Sequence, residues 1–287
     1  MGTRLRWTLI FGAAACVMLL STSCDTGVYR AAEEGDVDAL VAMAEDVTKD
    51  EYAIREVAVE QLGNLGTPEA VDALLTWVEE GAPPGLEDDV VAALGATGDP
   101  RAIEPLLAEL ARVDTSLPAE QLEPGEELKL WMIMRGLANL PDPKVAEALL
   151  AQLDAGHAAA ISDVELAAAL AGQGEAIAPA LEQRLASSDE LVFVPAAWAL
   201  GSIYTATDNQ ARITELLAGP TTFRIYEGVF MSSGSVEPQV MIDSLNTVGD
   251  VRMAQKMLNS GVEEYEAAAT AWASAHGYMI STWITTP

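Results

Sequence analysis

The 287 residues carry 44 Asp and Glu against 15 Lys and Arg, a formal net charge of −29, and half of them are hydrophobic while only 6% are aromatic. A chain this apolar can bury a core and is not wholly disordered. The acid excess excludes a nucleic-acid binder, which needs clustered Lys and Arg, and it repels anionic lipid unless the body is tethered. The shortage of aromatic and β-branched residues points to packed helices rather than a β-sandwich.

The chain opens with Arg4 and Arg6, an apolar run from Trp7 to Leu20, and the small residues Ser21, Thr22 and Ser23 before Cys24. A positive start, a short apolar stretch and a small-residue end make the layout of a secretory signal. The apolar run falls short of the roughly 20 residues that a spanning helix needs. This segment resembles a bacterial lipoprotein signal. The resemblance implies that residues 1–23 are removed and that Cys24 carries the lipid, on a diacylglycerol thioether with fatty acyl chains such as palmitate. It implies a body in the periplasm or outside the cell, lipid-anchored in the cell envelope. Ser21 departs from the leucine that the family prefers, with Leu20 one place earlier. Cys16, after Ala13–Ala15, is a poorer acceptor because its apolar region is short. No cysteine follows Cys24, which excludes a disulfide, a cysteine-ligated zinc or a thiol nucleophile from the body.

Residues 24–50 are expected to hold an anchor linker and N-terminal capping helices, with an ankyrin-style pair over 28–47 turning at Gly35-Asp36. Residues 51–218 read as a repeat array. VAVEQLGNLGTPEAVDALL (57–75), VVAALGATGDPRAIEPLL (90–107) and IMRGLANLPDPKVAEALL (133–150) align Leu62 with Leu94 and Leu137, and Pro68 with Pro100 and Pro143. In each unit a first helix ends at a turn, marked by Gly63 and Gly66 or Gly95 and Gly98. Thr67, Asp99 or Asp142 then stands as the N-cap of a second helix with proline at its first position. Apolar residues at helical spacing follow, such as Val71, Leu74, Leu75 and Val78. One such pair cannot bury its own apolar face, so neighbours must stack.

These residues resemble the HEAT family, in the short form known as phycobilin-lyase-type repeats. The expected fold class is all-α, an α-solenoid of stacked antiparallel helix pairs. Segments 165–185 and 196–217 continue the array without the Asp-Pro step, and 113–126 reads as an acidic insertion on one face.

Residues 219–287 are expected to form an irregular helical C-terminal cap with helices over 238–247, 250–259 and 262–276. They concentrate aromatics: Phe223, Tyr226, Phe230, Tyr265, Trp272, Tyr278 and Trp283. Two roles are open for these rings, closing the last apolar face or docking a partner.

Chemistry-bearing patterns are absent from the sequence. His157 and His276 lie far apart and outside any ligand spacing. Ser232–Ser235 is a loop, and Glu87-Asp88-Asp89 starts a helix, where carboxylates meet the positive dipole end. No catalytic residue, cofactor or metal is expected. In HEAT solenoids the second helices line the concave face, and that resemblance makes Glu69, Asp72, Thr76, Glu79, Arg101, Glu104, Arg112, Lys144, Glu147, Gln152 and Asp154 the candidate partner-binding residues. The expected function is a non-enzymatic, membrane-anchored protein-binding or scaffolding module whose partner is another envelope or exported protein. The alternative is an envelope lipoprotein that binds a small ligand or a cation.

Overall fold

The computed structural model describes residues 26–48, 52–117, 121–123, 125–155, 161–218, 223, 226, 227, 229 and 238–282. The signal segment with Cys16 and Cys24, His157 and the Ser232–Ser235 loop lie outside these residues.

The described chain is all-α, and its helices stack as consecutive pairs. The first helices of the pairs are α1 (Thr26–Glu34), α3 (Tyr52–Leu65), α5 (Glu87–Ala96), α7 (Glu126–Ala138), α9 (Asp163–Gly172) and α11 (Glu190–Ala206). Their partners are α2 (Val37–Glu45), α4 (Pro68–Glu80), α6 (Ile103–Leu110), α8 (Pro143–Asp154), α10 (Ala178–Arg184) and α12 (Gln210–Ala218). Short 3₁₀ turns lead into α6 and α10. Three further helices, α13 (Pro238–Val248), α14 (Val251–Leu258) and α15 (Glu263–Ala275), follow the array close to the expected bounds.

The second helices start as the sequence dictates. Thr67 Oγ1 accepts from the Ala70 amide at 3.3 Å, Asp99 from the Arg101 amide at 2.8 Å and Asp142 from the Lys144 amide at 2.8 Å, each with proline next in the chain. These caps satisfy amides that the helix itself leaves open. Where the Asp-Pro step is missing, the second helix α10 follows a 3₁₀ turn with no side-chain cap, while the first helix of that pair, α9, starts on a reciprocal capping box between Ser162 and Glu165. Helix α11 begins at Glu190, where the Asp189 side chain accepts from the Leu191 amide at 3.0 Å, and runs on through Pro195 into the 196–217 segment.

Leu62, Leu94 and Leu137 are fully buried at equivalent places in one core that runs the length of the stack. Burying each contributes roughly 1.5–3 kcal/mol. Arg55 and Gln173 are among the polar side chains buried in this core. Arg55 donates from Nε to the Ala44 carbonyl at 2.9 Å and from an Nη to the Pro84 carbonyl at 3.1 Å, tying α3 to the end of α2 and to the loop before α5. Gln173 donates to the Leu137 and Ala169 carbonyls and accepts from the Asp142 amide at 3.1 Å, so it stitches α9 to the turn between α7 and α8.

Two glycine pairs that the sequence marks as turn signals divide their labour. Gly66 and Gly98, at φ of +54° and +65°, make the turns. Gly63 and Gly95 are still helical and serve packing, because a Cβ on Gly63 would lie 2.6 Å from the Ala93 carbonyl oxygen and one on Gly95 would lie 2.6 Å from the Cα of Gly136. Gly172 approaches Ala138 in the same way. First helices therefore run at backbone contact from α3 to α9, whereas second helices meet their successors at few points. Helix-interior glycine is the reason that the first helices approach so closely.

The C-terminal rings mostly close the core. Tyr226, Tyr265 and Trp272 are buried, while Tyr278 stacks on Trp272 at 5.6 Å from the half-exposed outside. Phe230 and Trp283 lie outside the described residues.

Candidate functional site

On the second-helix side, the candidate residues are mostly joined to one another or to the next repeat. Asp72 of α4 meets Arg101 just before α6 at 2.5 Å. Glu104 of α6 pairs with Lys144 of α8. Asp154 of α8 accepts from Arg184 Nε of α10 at 2.7 Å. The sequence did not flag the next rung, in which Glu182 of α10 pairs with Arg212 of α12. Four ion pairs thus bridge successive second helices like rungs. Gln152 accepts from Thr115 Oγ1 at 2.9 Å, Arg112 pairs with Glu109, and Thr76 donates to the Asp72 carbonyl at 2.8 Å. Glu69, Glu79 and Glu147 stand exposed. The rungs are largely solvent-facing pairs, which contribute little to stability and weaken with salt. The Arg101 hydrogen bond holds the Asp99 carboxyl below its ordinary range. At the last rung, burial and the Glu182 carboxylate push the Tyr204 phenol up to about 12.

Between α8 and α10 the second helices part and leave a cleft of about 740 Å³. Ala146, Leu150, Ile177 and Ala180 floor it, and the Asp154–Arg184 pair stands at its rim.

The first-helix side carries a recess of about 420 Å³ that crosses α3, α5 and α7. Glu56, Glu60 and Asn64 enter it from α3, Asp89 from the acidic first turn of α5, and Trp131 and Arg135 from α7. Trp131 is 39% exposed. It stands outside the stripe of Leu130, Ile133, Met134 and Leu137 that faces the core, and the Arg135 guanidinium, one turn on, lies 5.3 Å from its ring centre. Burial raises the Glu56 carboxyl above its ordinary value, and repulsion from Asp89 and Glu60 adds to the rise. The recess continues past Asn64 into a depression of about 300 Å³ between α1 and α3, beside the exposed ring of Tyr29. One surface therefore runs from Tyr29 to Trp131 with carboxylates between two aromatic ends.

None of these groove residues stood among the sequence candidates. The available signal was Trp131 itself, a large apolar residue out of phase with the buried stripe of its own helix.

Among the described residues, no group of three or more His, Cys, Asp or Glu is placed to hold a metal ion. His276 is spent on α15, with Nδ1 2.8 Å from the Trp272 carbonyl oxygen and its ring 4.4 Å from the Trp272 ring. No described helix is long and apolar enough to cross a membrane.

Comparison with known families matches residues 37–121 to HEAT repeats. That span reaches from α2 through α6 and covers the α3 and α5 walls of the recess. No curated protein matches the chain.

Proposed function

We propose that this protein is a non-enzymatic scaffold, lipid-anchored to a bacterial envelope membrane through Cys24, that holds another exported protein along its first-helix groove. The observation that carries the proposal is the exposed Trp131 in a recess built by three successive first helices. Trp and Arg anchor many interfaces, and here the two stand together in one recess. Helical-repeat arrays present such extended recessed surfaces by construction. The resemblance of residues 1–24 to a lipoprotein signal supports the anchor, and the net charge of −29 means that the body needs one to stay at an anionic surface.

Photo-crosslinking residues introduced at Asn64 and Ala92 in the groove, and at Glu79 and Glu147 on the second-helix face, test the surface in living cells. The groove positions should give a discrete adduct with one envelope protein. Adducts only at Glu79 and Glu147, or none at any position, overturn it. Palmitate labelling tests the anchor, which fails if label persists in Cys24→Ala.

The α8–α10 cleft favours a second function, uptake of a small apolar ligand. A thermal-shift screen tests it, with Ala146→Trp filling the cleft; a stabilising ligand should lose its effect in that variant.

A further inference from the structure

We infer that the partner segment held in the first-helix groove is cationic, with a Lys or Arg set among Glu56, Glu60 and Asp89 and an apolar side chain laid against Trp131. The inference rests on the groove being the partner surface and adds the chemistry of what fits there.

The charge pattern of the recess selects this occupant. Its walls bring Glu56 and Glu60 from one helix toward Asp89 from the next, where partial burial raises the Glu56 carboxyl and repulsion from Asp89 and Glu60 adds to the rise. Among the described residues that line the recess, the basic one is Arg135, which stands over Trp131, away on α7. An acidic segment would meet three carboxylates here, and juxtaposed like charges at an interface cost several kcal/mol. A purely apolar segment would strip water from those carboxylates with no return. A Lys or Arg removes both penalties and relieves the crowding. At either end the surface turns aromatic, with Tyr29 and Trp131 exposed. A ring that already stacks a guanidinium can take a second cation or an aliphatic side chain on its remaining exposed surface. The occupant is therefore a segment in which basic residues lie between apolar ones.

Binding of short fluorescent peptides to the full-length protein in non-ionic micelles, with an empty-micelle blank, provides the test. The probes are a Lys-Gly repeat with one central Leu, its Glu-Gly counterpart, and the Lys-Gly repeat without Leu. The Lys-Leu probe should bind and the Glu-Leu probe should not. Glu56→Lys with Glu60→Lys should weaken Lys-Leu binding by about tenfold or more, as expected when attraction becomes like-charge repulsion. Trp131→Ala should weaken it by about tenfold and leave the Leu-free probe unaffected. Glu69→Lys with Glu79→Lys makes the same change of net charge on the second-helix face and should leave binding intact. All four glutamates are exposed, so circular dichroism should show the variants folded. Equal binding of the Lys and Glu probes, or equal loss in both charge-reversed variants, overturns the inference. A crosslinked partner whose captured segment is acidic also overturns it while leaving the scaffold proposal standing. Adducts confined to the second-helix face bring down both.

Discussion

Gly95 and Gly136 meet backbone to backbone where α5 crosses α7, so closely that a Cβ on Gly95 would lie 2.6 Å from the Cα of Gly136. The same contact brings the α5 and α7 walls of the groove together. Gly95→Ala should destabilise the protein by about 1–3 kcal/mol, the usual cost of forcing atoms into a packed contact that can only yield by backbone movement. Urea unfolding should show a lower midpoint, and crosslinking at Ala92 should weaken with it.

Arg55 and Gln173 look like surface letters in the sequence and are core connectors in the fold. Arg55→Met leaves the Ala44 and Pro84 carbonyls without their side-chain donors, and Gln173→Leu takes the acceptor from the Asp142 amide. Each should cost about 1–3 kcal/mol, because buried polar groups lose their partners without regaining water. Lys144→Met, by contrast, removes an exposed rung and should leave the unfolding midpoint unchanged within error.

Glu56 and Asp99 should respond to pH with opposite signs. The Glu56 carboxyl is raised above 4.5 by burial and by its acidic neighbours, so the folded state holds its proton more tightly than the unfolded state does. Its relative stabilisation is complete below pH 4.5 and is lost as pH rises through the raised value. Glu56→Gln should therefore stabilise the protein at neutral pH, with the gain vanishing below about 4.5. The Asp99 carboxyl is lowered by its Arg101 hydrogen bonds, so its contribution is present above the ordinary value of 3.8 and lost as pH falls through the lowered one. Asp99→Asn keeps a capping oxygen but should destabilise at neutral pH and not in strong acid. Paired thermal melts from neutral pH into strong acid check both signs.

Salt acts on two opposed effects, the ion-pair rungs and the repulsion within a body of net charge −29. The rungs are exposed and weak, whereas 44 acids against 15 bases leave most carboxylates unmatched. Screening the repulsion should win, so the melting temperature should rise as sodium chloride increases from low to physiological strength. A fall would mean that the rungs dominate.

The repeat architecture was legible because it is written locally. Leucine spacing, the Thr-Pro and Asp-Pro steps at 67–68, 99–100 and 142–143, and Gly66 and Gly98 in the turns each act within one or two helical turns, and the structure uses them as expected. The C-terminal helices were legible for the same reason. Which helices approach at backbone distance was not, since Gly63 and Gly95 do their work against α5 and α7, residues distant in the chain. The polar candidates Asp72, Glu104 and Asp154 were visible as letters, but their rungs to Arg101, Lys144 and Arg184 depend on how far apart the second helices stand. The groove is of the same kind: Glu56, Asp89 and Trp131 share a surface only after three helices have stacked. By itself the sequence determined the helices, their caps and turns, and the need to stack. Tertiary structure alone decided where the hollows lie and what lines them, because backbone approach at glycine sets the spacing between first helices and spacing sets the surface.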